Sequence, residues 1–356
     1  MKITGIETIR LRSHIRSPLK MAYGTITEIE PVFVCIHTDT GLSGWGEANT
    51  IPFVTGETPE TILAVLDMLR PLLVEEDPLC IPRIHRIMDS VIEGNSAVKC
   101  SIDLALHDIY GQAMGVPLYK LLGGDSDRYY VDVALSIDTP ENMARAALRY
   151  KEEAGIRIFK VKAGRDVATD VEAVRCIREA CGDGVDLRVD ANQGWSESEA
   201  LMAIDGYRKY HVAGLEQPVP EWDVLGMASI RAKAGGMTII ADESVKSPYS
   251  AALLAKLGAA DMFSITLMKA GGLEPAKRIV AIAAANNIRC MLGCMCETGI
   301  AISAGAHFVA GERHITVGDT DGFLLVAEPR VDPGFRFENG QVILLDRPGL
   351  GVKVNL

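Results

Sequence analysis

The sequence predicts a modified (β/α)8 barrel of TIM type that lacks its last helix, (β/α)7β, with an α+β capping domain ahead of it and a short tail behind. Three observations predict it. First, acidic residues close short apolar runs at one fixed step: Asp190 in LRVDAN, Glu216 in AGLEQP and Asp242 in TIIADES follow one another at 26 residues. A strand, a loop, a helix of three turns and a second loop add up to that step, which is one βα unit. Second, the step continues backwards to Lys162 in FKVKAG and Ser136 in VALSID. Forwards it reaches Lys269 in ITLMKAGG, Cys294 in CMLGCMCE and Asp319 in ITVGDTDG, so eight strand ends are marked. Third, the period is missing from the start of the chain, which divides it into 1–125, 126–325 and 326–356.

Met1 to Glu47 reads as a β meander of KITGIETIRL, EPVFVCIHTD and, after the turn Thr40-Gly41, LSGWGEA. The segments Lys20 to Thr25 and Ile51 to Gly56 are expected as loops closing over the barrel mouth. Thr58 caps and Pro59 opens a helix running through Leu69. Another helix, Ala97 to Met114, carries Ile102, Ala105, Leu106, Ile109 and Ala113 on one face. Within the barrel, Asp166 is an N-cap, and Val167, Val171, Val174, Ile177 and Cys181 form one apolar stripe with Glu172, Arg175, Arg178 and Glu179 off it. Gly182 stops that helix. The strands LRVDA, TIIAD and MFSIT are mostly apolar, as befits parallel strands covered on both faces. After Phe323 the tail has turns at Pro329, Pro333 and Gly334 and a strand GQVILLD, and it is expected to leave the barrel and pack back on the first domain.

A net charge of −11 without a basic cluster argues against nucleic acid and anionic membranes as partners. No apolar run reaches 18 residues, and Met1-Lys2-Ile3 opens directly into a strand, so a cytoplasmic protein is expected. The eight cysteines are scattered with no zinc spacing, which fits a reducing compartment. Gly271-Gly272 reads as a tight βα turn rather than a phosphate cradle. Helix capping would account for any one of the acidic residues, but not for an Asp, Glu, Asp series bracketed by lysines.

Chemistry in such barrels collects at the C-terminal ends of the strands, where all these residues fall. Three carboxylates without a histidine are hard oxygen ligands suited to Mg²⁺. A substrate carboxylate completing the shell has an activated α-proton. Lysine serves as the base only if its pKa falls from about 10.4. In Lys160-Val161-Lys162 the strand period puts both lysines on one face, so Lys160 is expected to depress Lys162. The second and sixth strands lie across the mouth from each other. Lys162 and Lys269 therefore flank one carbon from opposite faces, as inversion of configuration requires.

The K-x-K, the D, E, D series, the lysine on the sixth strand and the capping domain together resemble the enolase superfamily, muconate-lactonizing subgroup. A mandelate-racemase-like member would show a histidine on the seventh strand, and IRCMLGCMCE has none. Asp319-Thr320-Asp321 is similar to the D-x-D with which dipeptide epimerases hold the substrate α-ammonium; a helix cap or turn is the plain alternative. LKMAYGTIT, PFVTGETP and MLGCMCE also resemble segments of dipeptide epimerases. The resemblance implies one Mg²⁺ per subunit on Asp190, Glu216 and Asp242, an acid/base pair Lys162 and Lys269, and a homo-oligomer. It implies a substrate pocket drawn from Lys160, Met21, Tyr23, Gly24, Phe53, Ser136, Cys294, Cys296, Asp319 and Asp321. Members specific for Ala-Glu carry an arginine near the place of Gly24. Its absence and the apolar Met21, Tyr23 and Phe53 imply apolar side chains, with Lys20 able to turn inward as a partial substitute. The expected activity is inversion of the α-carbon of the C-terminal residue of an L-Xaa-L-Xaa dipeptide. The alternatives are a muconate-type cycloisomerase, an N-acylamino acid racemase, an epimerase of a proline derivative and a non-catalytic binding protein.

Overall fold

The alternating residues at the start of the chain fold into two antiparallel sheets rather than one. In the computed structural model, which describes residues 1–327 and 330–355, the strands are β1 (Ile3–Arg10), β2 (Ser13–Met21), β3 (Gly24–Ile29), β4 (Val32–Thr38) and β5 (Ser43–Ala48). β1, β4 and β5 pair in that order as the expected meander. β2 and β3 form a separate hairpin inserted into it, so Lys20 to Thr25 is the tip of a β-hairpin and not a free loop. Ile51 to Gly56 contains a short helix, α1 (Pro52–Thr55), which ends on left-handed Gly56.

α2 (Pro59–Leu73) starts with the reciprocal Thr58–Thr61 capping box and runs one turn past the expected end, through Pro71. α3 (Ile81–Val91) and α4 (Ser96–Met114) follow. α4 is buried from Ala97 to Ile109 on every side, so the one-face reading of it was too narrow. Part of the reason is β5. A Cβ on Gly44 would stand 2.1 Å from the Ala105 carbonyl oxygen, and one on Gly46 only 1.8 Å from that of Ser101. These two glycines, which look like strand punctuation, let the strand backbone lie directly on the helix.

After α5 (Leu118–Leu121) and β6 (Arg128–Tyr130), the chain enters the barrel. Among the described residues eight parallel strands run in sequence order: β7 (Val133–Leu135), β8 (Ile158–Lys162), β9 (Asp186–Asp190), β10 (Val212–Glu216), β11 (Thr238–Ala241), β12 (Met262–Thr266), β13 (Arg289–Gly293) and β14 (Ile315–Gly318). A parallel bridge between Val131 and Gly318 closes the cylinder. The outer helices are α6 (Pro140–Ala154), α7 (Val167–Cys181), α8 (Glu197–Tyr207), α9 (Val224–Lys233), α10 (Pro248–Leu257), α11 (Leu267–Ala270), α12 (Leu273–Ala285) and α13 (Gly299–Gly311). After β14 a single turn, α14 (Gly322–Leu325), replaces the eighth helix.

In α7, Asp166 caps the Thr169 N–H and Gly182 ends the helix at φ 71°, as expected. Arg178, expected off the apolar stripe, is buried instead. Its guanidinium donates to the carbonyls of Tyr210, Gly182 and Val185, stapling the loops beneath the barrel.

The tail does more than return to the first domain. β15 (Val326–Ala327) extends the β2–β3 hairpin, and β16 (Val331–Asp332) pairs with β19 (Lys353–Val354). β17 (Phe335–Glu338) and β18 (Gln341–Leu344) form a hairpin whose β18 pairs with β6. Pro329 lies outside the described residues. Two buried carboxylates fasten the parts together. Glu47 on β5 accepts from the Thr298 and Ala301 N–H groups at the start of α13 (2.8 and 3.1 Å), and Asp108 on α4 accepts from Trp45 and Leu350 (3.0 and 2.8 Å). Among the described residues no helix is long and apolar enough to cross a membrane.

Candidate active site

The strand ends gather most of the predicted side chains into one pocket under the β2–β3 hairpin and α1, whereas Glu216 is fully buried and does not line it. Asp190 and Glu216 are the last residues of β9 and β10, and Asp242 follows β11 by one. Lys162 ends β8, two residues after Lys160 on the same inward face; their residues are 9 % and 3 % exposed. Lys269 departs from the pattern. It stands in the turn α11 beyond β12 rather than at the strand end itself. β8 and β12 are four strands apart in the closed barrel, which puts Lys162 and Lys269 on opposite sides of the mouth.

Each lysine is paired with a carboxylate. Lys162 Nζ lies 2.6 Å from Asp190 Oδ2, and Lys269 Nζ donates to Asp242 through both its side chain and its carbonyl oxygen, the latter at 2.6 Å. Lys160 Nζ bridges Asp319 Oδ2 (2.5 Å) and Glu216 Oε2 (3.1 Å). Burial pushes Lys162 down, and Lys160 pushes the same way as expected. Asp190, by charge and hydrogen bond, and Glu216 together outweigh them and hold Lys162 above the ordinary lysine range, so Lys160 by itself does not depress it.

Each of the three carboxylates is paired with a lysine, and their oxygens do not converge within 4.8 Å of one another. The trio of acid and thiol side chains with ligand atoms within 4.8 Å of one another is Cys294, Asp319 and Asp321 among the described residues. Glu216 nevertheless lacks saturation. It is fully buried, and its Oε2 receives no hydrogen bond in good geometry among the described residues. Burial, with Asp190 and Asp242 adding, pushes its carboxyl up to about 7. Asp190, Asp242, Glu243, Asp319 and Asp321 line the pocket, and Glu216 is buried within reach of Asp190 and Asp242; among the described residues three lysines line the same pocket. Carboxylate donors in excess of their counter-charge, with a buried oxygen that meets Lys160 only outside hydrogen-bond geometry, fit a hard divalent cation.

The D-x-D lies just past β14, with both carboxylates buried. Asp321 precedes α14 but does not cap it with its side chain. Its Oδ2 accepts from the Ala134 N–H on β7 (2.8 Å) and its Oδ1 from the Cys294 thiol (3.3 Å). The cap alternative therefore fails. Burial and the adjacent Asp319 raise Asp321 to about 6.

Of the remaining predicted residues, Met21, Tyr23, Phe53, Cys294 and Cys296 line the pocket. Tyr23 and Phe53 meet edge to face at 5.3 Å, each still partly exposed, as a two-ring rim. Ser136 does not line it. Its hydroxyl accepts from the Lys20 N–H (2.8 Å) and ties β7 to the hairpin, and the first barrel strand presents Ala134 instead. Gly24 stands behind the rim, where a Cβ would touch the Phe53 ring at 3.6 Å. Lys20 does not turn inward: strand alternation sends Leu19 and Met21 into the pocket and Lys20 away, beside Asp138.

Sequence reading missed Glu243 and Asn192, although each adjoins a singled-out motif. Asn192 Nδ2 donates to Glu243 Oε1 (3.2 Å) and its N–H to Asp190 Oδ1 (2.9 Å); burial pushes Glu243 up to about 8. Sequence reading also missed Asp132 and Arg188, a buried pair 3.5 Å apart, with Arg188 in register beside Lys160. Asn192 alone had a local signal, its left-handed φ of 42° being tolerated by asparagine.

Residues 4–123 match the mandelate racemase / muconate lactonizing enzyme N-terminal domain family, and residues 142–356 the enolase C-terminal domain-like family. The chain belongs to this family of the enolase superfamily. It is 37 % identical to an L-Ala-D/L-Glu epimerase of Bacillus subtilis, over 99 % of this chain and 97 % of that protein. It is 35 % identical to an N-succinyl-L-Arg/Lys racemase of Bacillus cereus, over 100 % and 96 %. The crystal structure of a dipeptide epimerase from Enterococcus faecalis V583, complexed with Mg and L-Leu-L-Tyr, superposes with a TM-score of 0.96 at 35 % identity, over 99 % and 100 %.

Proposed function

We propose that this protein is a Mg²⁺-dependent dipeptide epimerase that inverts the α-carbon of the C-terminal residue of an L-Xaa-L-Xaa dipeptide with apolar side chains. The observation that carries the reading is the placement of Lys162 and Lys269 across the mouth from each other, with Asp319 and Asp321 buried on a third side. Asp190, Glu216 and Asp242 would hold the metal. When bound, Mg²⁺ supplies positive charge beside the substrate carboxylate and lowers the cost of removing its α-proton. Lys162 and Lys269 serve opposite faces of that carbon, one taking the proton and the other returning one. Asp319 and Asp321 orient the dipeptide by its ammonium, a charge that muconate lacks. Leu19, Met21, Ile26, Ile51 and Phe53 give the side-chain end an apolar wall and shield the carbon from water.

Relatives that are dipeptide epimerases, one solved with Mg and a dipeptide, support the reading. Eight free cysteines support a cytoplasmic setting. Exposed Trp222, Leu225, Tyr249 and Leu253 on the outer barrel support a homo-oligomer.

A dipeptide library in D₂O, read by mass spectrometry, should gain deuterium at the α-carbon of the C-terminal residue. Asp242→Asn should weaken Mg²⁺ binding and abolish that exchange with the fold intact; full activity of the variant in EDTA would sink the metal assignment. Turnover of N-acylated amino acids as fast as free dipeptides would replace this reading with an N-acylamino acid racemase.

A further inference from the structure

Lys269 rides on α11, a turn of four residues that leaves through two glycines in the left-handed half of backbone space, Gly271 (φ 92°) and Gly272 (φ 115°). So short a turn has little stiffness of its own. The next helix, α12, is anchored from the other domain. It begins at Leu273 with no capping side chain from its own N-cap, Gly272. The N–H groups of Leu273 and Glu274 instead donate to Asp103 on α4, at 2.6 and 3.3 Å. Asp103 is fully buried and is itself held by His85 (Nε2 to Oδ2, 2.7 Å) and His107 (Nδ1 to Oδ1, 3.2 Å). Gly272 makes the approach possible, since a Cβ there would lie 2.4 Å from the Asp103 side chain.

The two lysines are therefore fixed by different means. Lys162 is the last residue of β8 and is paired in register with Asp190 of β9, so the sheet holds it. Lys269 lies beyond the last register pair of β12, Thr266 with Gly293. Its ammonium is held by Asp242, but its backbone is placed by the α11 turn and the α11–α12 junction.

We propose that Asp103 is a positioning residue for Lys269: by gripping the first N–H groups of α12 it sets where the α11 turn holds the lysine ammonium, with no equivalent effect on Lys162. The inference rests on the two-lysine reading above. A misplacement of about 1 Å can cost on the order of a hundredfold in a proton-transfer site, so a slackened junction should slow one face of the reaction selectively.

Two variants perturb the junction from opposite sides. Asp103→Asn keeps the volume and removes the charge; Gly272→Ala pushes a methyl against the carboxylate and leaves every charge in place. Each pure epimer of a turned-over dipeptide is incubated in D₂O, and deuterium is measured in the recovered, uninverted substrate. Lys162→Ala and Lys269→Ala first show which epimer each lysine exchanges. Both junction variants should lower the Lys269-dependent exchange roughly tenfold or more while the Lys162-dependent exchange stays within about twofold. Inversion should fall by one common factor in both directions, because the overall equilibrium is unchanged. Partial unfolding lowers both exchanges together and leaves their ratio alone, and if Asp103→Asn does not fold, Gly272→Ala decides. Equal loss of both exchanges in the folded variants overturns the inference. Lysine variants that show no preference between epimers would instead overturn the two-base reading on which it stands.

Discussion

Asp319 and Asp321 sit two residues apart and are held quite differently. Asp319 is paired with Lys160 at 2.5 Å, whereas among the described residues Asp321 has a backbone N–H and a thiol as its donors. Asp321 is thus the member of the pair with charge left for a ligand cation. Asp321→Asn keeps an acceptor for the Ala134 N–H and removes the charge, so the barrel closure should survive. With a free dipeptide the loss in kcat/KM should match about 2 to 5 kcal/mol, roughly 30-fold to several thousand-fold. With an N-acetylated dipeptide the same substitution should cost far less. The four rates form a double-mutant cycle between side chain and substrate, and a coupling near zero would remove the ammonium from the assignment.

Helices in this protein are joined to the rest of the chain through buried side chains that sequence periodicity does not reveal, and α13 is the clearest case. His307 on it is fully buried; its Nδ1 accepts from the Tyr119 N–H of α5 (3.2 Å) and its Nε2–H donates to the Leu350 carbonyl of the tail (3.2 Å). Acceptance at Nδ1 requires the neutral ring, with its proton on Nε2. Burial lowers its pKa to about 4, with the Leu350 carbonyl opposing. An unfolded histidine titrates near 6.5, so between about 6.5 and 4 the unfolded chain binds a proton that the folded chain refuses. Stability should therefore fall as pH falls through that window, by about 3 kcal/mol in total. His307→Gln cannot titrate, and its urea midpoint should drop less between pH 6.5 and 4.5 than that of the parent. Asp108, raised to about 6 by burial, has the opposite sign and is common to both proteins. Identical pH slopes would show that His307 does not carry the effect.

On the scale of the whole molecule, Glu47, Asp103 and Asp108 reach from the capping domain to the barrel helices and the tail. Each couples the unfolding of one part to the other, so denaturation should be a single transition read alike by different probes. Mg²⁺ that binds only the folded chain should stabilise it by about 2.7 kcal/mol at a hundred times its Kd. Calorimetry with and without Mg²⁺ checks both expectations. Two resolved transitions, with only one moving on addition of metal, would mean that the domains unfold separately. Loss of most of the metal-dependent shift in Asp242→Asn would tie it to the proposed site.

The barrel, its eight strand ends and the acidic and lysine residues at them were legible in the sequence, because a βα unit has a nearly constant length and parallel strands put every C-terminal end on one face. Local rules also reached Thr58, Asp166 and Gly182, where cap and stop depend on neighbouring residues alone. Tertiary structure decided the rest. Lys20 to Thr25, expected as a loop, is the tip of a hairpin whose first strand carries no regular alternation, its register slipping between His14 and Leu19. Lys20, Ser136 and Gly24 fell outside the pocket because the hairpin's docking on β7 sets which face of the strand looks inward. The rise in the Lys162 pKa and the roles of Asp103, Glu47 and Arg178 depend on partners up to 254 residues away, and no local pattern specifies a through-space distance. Periodicity determined which residues arrive at the mouth of the barrel. Burial and long-range contact decided what each of them can do there.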